Sequence, residues 1–213
     1  LLDLTELDLR DNLLRNLTDL SKLQKLLVLK LTNNQLESLP ESVFELSELQ
    51  QLWVDVNKLT SLPPEIGKLT HLAYLKVDEN DLVRLPNEIG QLQALEELQA
   101  MATGLRSLPP TIVHCRSLLY LYLDNNRLTN FPNMSTLVDL TLIRASNNHI
   151  SHLPDSIGDG LRNLTTLELR SNRLSAIPTS IGQLPRLKNL EVSDNYLVDL
   201  PVLYHAQELE YLH

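Results

Sequence analysis

The chain is poor in cysteine, glycine and aromatic residues: one Cys, six Gly, and two Phe, one Trp and six Tyr in 213 residues. A single cysteine, Cys115, excludes a disulfide within the chain and favours a reducing compartment, which points to a cytoplasmic location. So little glycine leaves no phosphate-cradling loop, and neither G-x-G-x-x-G, a P-loop nor a G-x-S-x-G elbow is present. Basic residues are outnumbered, 18 against 27 acids, for a net charge of −9. That balance argues against nucleic acid as a partner, because phosphate contacts need clustered Lys and Arg. No apolar run approaches the roughly 18 residues of a membrane span, so membrane insertion is not expected. An initiator Met and a signal-peptide pattern are both missing, and the chain reads as a piece of a larger protein without terminal caps. Three N-x-S/T sequons, at Asn16, Asn133 and Asn163, are about what chance gives with 17 Asn.

What the chain does have is leucine at a fixed period. The frame L-x-x-L-x-L-x-x-N-x-L starts at residues 4, 26, 49, 72, 95, 118, 140, 164 and 187, and a partial copy starts at 209. Residues 1–213 therefore form a single repeat domain with no room for a second one. Position 9 of the frame is Asn12, Asn34, Asn57, Asn80, Asn126, Asn148, Asn172 and Asn195, with Thr103 as the exception. Positions 4 and 6 alternate with polar residues, which marks a short strand buried on one face. Stacked copies line these strands into one parallel sheet with an open concave face. The position 9 amide both donates to and accepts from neighbouring backbone, forming a structural ladder. Thr103 lacks one of those two functions, so a local weak point is expected there.

Leu-Pro pairs such as Leu62-Pro63 and Leu85-Pro86 recur, followed by Ile-Gly at Ile66-Gly67, Ile89-Gly90, Ile157-Gly158 and Ile181-Gly182. Proline suits the start of a turn on the outer side. Leu14, Leu17, Leu20, Leu23 and Leu26 step by three, so the 22-residue repeats are expected to carry the tighter, 3-10 outer turns. The 24-residue repeat, with Gly158 and Gly160, is expected to carry the longest one. Cys115 takes the inward slot held elsewhere by Leu46, Leu69, Leu92 and Leu184, and reads as a buried, inert thiol.

This frame resembles the leucine-rich repeat. The 23-residue L-P-x-x-I-G-x-L unit, as in residues 62–82, resembles the intracellular repeats of Ras-group-related scaffolds and of LAP proteins of the Scribble and Erbin type. Repeats 1, 6 and 9 depart toward a 22-residue style. The resemblance implies an α/β leucine-rich repeat solenoid, a curved horseshoe with a parallel concave β-sheet and short 3-10 or helical turns on the convex side. It also implies a cytoplasmic scaffold for a small GTPase, a phosphatase subunit or a polarity protein.

No constellation for catalysis, cofactor or metal is recognisable, so a non-enzymatic role is expected. His149 and His152 read as solvated, and Asp55, Asp78 and Asp124 at position 7 as a solvated acidic ridge. Positions 3, 5, 7, 8 and 10 are left free by the repeat. Trp53, Tyr74, Met101, Tyr120 and Tyr122 form a band there over repeats 3 to 6, of the residue types that dominate interface hot spots. Lys76, Asp78, Asp124, Arg144 and Arg170 complete the candidate partner-binding set. Lys30 and Lys76 flank Trp53 on neighbouring strands, where their stems can cover its ring. The expected function is a protein-protein interaction module of an intracellular signalling scaffold or adaptor. Two alternatives remain: a regulatory segment of a larger kinase, phosphatase, cyclase or GTPase, and an extracellular receptor ectodomain.

Overall fold

A computed structural model describes residues 2–203 and 206–213. Ten strands lie in chain order in one parallel sheet: β1 (Glu6–Asp8), β2 (Val28–Lys30), β3 (Gln51–Trp53), β4 (Tyr74–Lys76), β5 (Glu97–Gln99), β6 (Tyr120–Tyr122), β7 (Leu142–Arg144), β8 (Thr166–Glu168), β9 (Asn189–Glu191) and β10 (Tyr211–Leu212). Each pairs with its sequence neighbour at the same repeat position, as in Leu52↔Leu75 and Trp53↔Lys76. The strands are short because only position 4 is buried within them, while positions 3 and 5 face outward. A leucine, or Ile143 in β7, fills each position 4, and from β2 to β9 these side chains join the outer-side aliphatics in one continuous core, while Leu212 in β10 is exposed. The solenoid predicted from the repeat is the fold observed.

An Asn ladder links the repeats from Asn34 onward, while the Asn12 side chain, among the described residues, bonds only Leu9 O and Arg10 O of its own repeat. Asn57 donates through Nδ2 to Leu31 O of the repeat before (3.0 Å) and to Val54 O of its own (3.1 Å), while its Oδ1 accepts Leu36 N (3.0 Å). Asn80, Asn126, Asn148, Asn172 and Asn195 repeat this geometry. At Thr103 the ladder changes. Its hydroxyl donates to Asn126 Oδ1 at 2.9 Å, and the Leu82 N–H that an Asn would receive has no hydrogen-bond partner among the described residues. Gly104, at φ +86, allows the chain to leave this rung along a different path.

The outer side departs from expectation. The 3-10 turns sit in 23-residue repeats, at Glu41–Glu45, Pro64–Lys68, Asn87–Gln91, Pro110–His114 and Thr179–Gln183, each preceded by a proline in extended conformation. The described residues of the 22-residue repeats 1, 6 and 9 cross with simple turns and no helix. A period of three is common to the 3-10 helix and to extended polyproline-like chain. With one residue fewer to cross the same width, the shorter repeat takes the longer rise per residue. The 24-residue repeat forms an α-helical turn, α1 (Ile157–Gly160). Its glycines are required by close approach: a Cβ on Gly158 would stand 1.8 Å from Ser180 O, and one on Gly160 1.9 Å from Ser135 O.

Candidate functional site

The strand register sets out the concave face. Position 5 runs Asp8, Lys30, Trp53, Lys76, Gln99, Tyr122, Arg144 and Glu168 across neighbouring strands. Trp53 is therefore held between two lysines, with Lys30 Nζ 5.0 Å and Lys76 Nζ 6.0 Å from its ring centroid, and Arg10 joins them at 5.9 Å. Each cation is fixed by a carboxylate: Lys30 to Glu6 (2.6 Å), Lys76 to Asp55 (3.3 Å), and Arg10 to Asp8 through both carboxylate oxygens. The Arg10 guanidinium holds the Asp8 carboxyl down at about 2. Cations near the faces of an indole are attracted by its quadrupole, so the ring is braced in one orientation.

Beside it lies a hollow of about 320 Å3 lined by Gln51, Trp53, Tyr74, Leu75, Lys76, Glu97 and Gln99. Tyr74, exposed on its wall, donates its hydroxyl to Glu96 at 3.2 Å, and that carboxylate raises the phenol pKa. The aromatic residues are not one continuous band. Glu97 separates Tyr74 from Tyr120, and Lys76 and Gln99 separate Trp53 from Tyr122. Two islands result, Trp53 with Tyr74 around the hollow and Tyr120 with Tyr122 on β6, with Met101 half-buried past the end of β5.

The acidic column is not the solvated ridge expected. Asp55, Asp78 and Asp124 are 3%, 5% and 4% exposed. Strands end at position 5, so by position 7 the chain has begun its turn and the carboxylates tuck against neighbouring repeats, Asp78 and Asp124 against the next and Asp55 against the one before. Asp78 Oδ1 accepts Met101 N at 2.6 Å and Asp124 Oδ1 accepts Ser146 N at 2.8 Å, while Asp55 Oδ1 accepts the Thr32 hydroxyl at 2.6 Å. Arg144 Nε lies 3.1 Å from Asp124 Oδ2 and 3.0 Å from Glu168 Oε2, close enough for charge attraction although Arg144 Nε and Asp124 Oδ2 lack the alignment of a hydrogen bond. Asp78 Oδ2 has no hydrogen-bond partner among the described residues, and burial pushes its carboxyl up to about 6. Asp78 and Asp124 thus brace the face from beneath. Of the remaining candidates, Arg170 is exposed and paired with Asp194 at 2.9 Å.

Position 8 is not free either. Asp11, Asn33, Val56, Glu79, Ala102, Asn125, Asn147, Ser171 and Asp194 all adopt left-handed backbone, φ 49 to 59. The signal was present in the sequence, since most of these residues are Asn or Asp, the side chains that tolerate this region.

Cys115 is fully buried, donates to Ile89 O at 3.2 Å, and has its thiol pushed up to about 12 by burial, which makes it inert near neutral pH. Among the described residues no cluster of His, Cys, Asp or Glu is placed to hold a metal, and no helix is long and apolar enough to cross a membrane.

Comparison with known proteins agrees with this architecture. Family patterns described as leucine-rich repeat region and leucine rich repeat match residues 63–149 and 138–197. Over 63 residues, 28% of this chain and 8% of its own length, the human volume-regulated anion channel subunit LRRC8E is 44% identical. A leucine-rich repeat protein of Leptospira interrogans superposes over 99% of this chain with a TM-score of 0.93 and 34% identity. The functional domain of InlJ from Listeria monocytogenes covers 96% of this chain with a TM-score of 0.83 and 26% identity. The Drosophila Toll–Spatzle complex covers all of it, with a TM-score of 0.85 and 28% identity. The chain spans 54% of the Leptospira structure, 42% of the InlJ domain and 29% of the Toll chain. Repeat frame, ten-strand parallel sheet, Asn ladder and family match agree: the chain is a leucine-rich repeat protein.

Proposed function

We propose that this chain is a protein-binding module of an intracellular signalling scaffold or adaptor, and that its partner docks on the concave face at Trp53 and Tyr74. One observation carries the reading. A tryptophan braced by three cations borders an open hollow on a face whose residues the solenoid does not need for its core. A rigid aromatic beside a pocket loses little side-chain entropy on binding, as interface anchors do. Tyr120, Tyr122 and Met101 extend the contact toward Arg144 and Arg170. The buried, inert Cys115 and the absence of any cysteine pair support a reducing compartment.

Affinity capture with the chain and its Trp53→Ala and Tyr122→Ala variants tests this. A protein held by the parent and released at least about tenfold faster from either variant, with melting unchanged, is the expected result. Equal retention on all three overturns it. The likeness to Toll in its complex with Spatzle supports a second reading, an extracellular receptor ectodomain. Expression through a secretory pathway with glycan found on Asn16 or Asn133 would favour that one.

A further inference from the structure

The loops that leave the strands differ in charge from the rest of the molecule. Positions 10 to 13 of repeats 5 to 8 are residues 104–107, 127–130, 149–152 and 173–176, and they contain no Asp or Glu in a chain of net charge −9. They carry Arg106, Arg127 and Arg173, with His149 and His152, all exposed. Between the cations stand exposed hydrogen-bonding side chains, Ser107, Thr129, Asn130, Ser151 and Ser175. The corresponding loops on either side hold acids, Asp81 in repeat 4 and Asp199 in repeat 9.

Pairing sets these arginines apart as well. The concave-face cations Arg10, Lys30, Lys76, Arg144 and Arg170 are each bound to a carboxylate. Arg84, Arg106, Arg127 and Arg173 make no ion pair among the described residues. At the repeat 4 end, Arg84 and Arg106 border a hollow of about 450 Å3 whose floor includes Leu85, Pro86, Leu108 and Pro109. Unpaired arginines, hydrogen-bonding groups and an adjoining hollow lie along one edge, beyond the ends of the strands and apart from the hollow at Trp53.

We infer that this edge binds an acidic, extended polypeptide segment. Strands lie about 4.8 Å apart, so the four steps from repeat 4 to repeat 8 span about 19 Å, the length of about six extended residues at roughly 3.3 Å each. Guanidiniums pair carboxylates in bidentate geometry, and the serines, threonine and asparagine suit the peptide backbone between them. Single-stranded nucleic acid is the poorer match, because the strip has no Phe, Tyr or Trp, the larger rings on which successive bases stack. The inference is independent of the concave-face reading, since the two surfaces share no residue.

The test uses a fluorescently labelled hexaglutamate peptide and anisotropy at low salt and at about 0.15 M, where charges more than about 8 Å apart are screened. Binding should weaken with salt, and Arg106→Glu, Arg127→Glu and Arg173→Glu together should raise Kd at least about tenfold. Because all three side chains are exposed and unpaired, circular dichroism and melting should not change. Trp53→Ala, a concave-face variant, should bind the peptide like the parent, which separates failure of this inference from failure of the concave one. Absence of peptide binding at low salt, or equal binding to the triple variant, overturns the proposal. Equal or tighter binding of a hexanucleotide overturns the choice of a polypeptide.

Discussion

Two steps along the solenoid place the same aspartate in the same backbone geometry and then part company. From repeat 6 to repeat 7, Asp124 accepts Ser146 N, Arg144 on β7 supplies a cation, and Asn148 receives Leu128 N at 2.9 Å. From repeat 4 to repeat 5, Asp78 accepts Met101 N, but β5 offers Gln99 where Arg144 would stand, and Thr103 replaces the Asn. Asp55 with Lys76 follows the first pattern. The rule is that a position 7 aspartate is neutralised by a cation at position 5 of the next repeat. Repeat 5 breaks it and leaves a buried carboxylate oxygen and the Leu82 N–H unpartnered among the described residues. This incomplete step lies under Met101 and beside the hollow at Gln99, where the proposed partner docks. Departures from local consistency are expected where function competes with stability.

The largest effect should come from making the complete step resemble the incomplete one. Arg144→Met leaves Asp124 and Glu168 facing each other without a cation. Stranding a fully buried charge costs roughly 3–5 kcal/mol. The Arg144 side chain is 43% exposed, which lowers the expected loss to about 2 kcal/mol in denaturant unfolding. A loss below about 0.5 kcal/mol would show that the pair is a surface contact only.

Next in size is the pH response of Asp78. Burial disfavours the charged form and pushes its carboxyl up to about 6, above the ordinary carboxylate value of about 4. Between those values the folded state holds more protons than the unfolded one, so this group makes the protein more stable as pH falls from about 7 to about 4. Asp78→Asn keeps an acceptor for Met101 N and removes the charge. It should gain about 2 kcal/mol at pH 7 and almost nothing at pH 4, as read from melts at the two values. A gain independent of pH would reject burial of charge as the cause. Burial pushes the Asp124 carboxyl up as well, but Arg144 opposes it, so the same substitution there should gain less than at Asp78, because Arg144 is then left with Glu168 alone.

How much of this was legible depends on whether a position repeats. The Leu, Asn and Cys115 environments followed from the period, because each copy meets the same neighbours. Burial of position 7 did not, since alternation alone places positions 3, 5 and 7 on one face and does not say where the strand ends. The outer turns of the 22-residue repeats were misread because a step of three fits both a 3-10 turn and an extended chain. Trp53 is legible as the single tryptophan at a position the repeat leaves free, and its flanking lysines follow from register. The separation of Tyr74 from Tyr120 needed the same register, carried across Glu97. The left-handed column at position 8 was written in its Asn and Asp, but a backbone requirement looks like free variation unless the column is read as a whole.

Gln99→Arg should complete the deficient step from the other side. It places a guanidinium beside Asp78 as Arg144 stands beside Asp124, and should stabilise the chain by about 1 kcal/mol at neutral pH while moving the Asp78 titration down toward the ordinary carboxylate range. NMR titration of the Asp78 carboxyl reads the shift directly, and an unmoved titration would refute the position 5 to position 7 rule. Because Gln99 lines the hollow, the variant should also weaken the partner that Trp53 holds, which separates the stabilising role of the cation from its cost to docking.

Thr103→Asn should give the smallest gain, about 0.5–1 kcal/mol. The new amide can receive the Leu82 N–H and donate to Val77 O, as Asn80 receives Leu59 N and donates to Val54 O one repeat earlier. Against that gain, Asn126 Oδ1 loses the Thr103 hydroxyl, and Gly104 at φ +86 sets the path by which the chain leaves this rung. If the rung closes, hydrogen exchange at the Leu82 amide should slow at least about fivefold, more than at amides two repeats away. An unchanged Leu82 rate would mean that the backbone at Gly104, rather than the missing amide, keeps this rung open, and that repair requires both positions to change together.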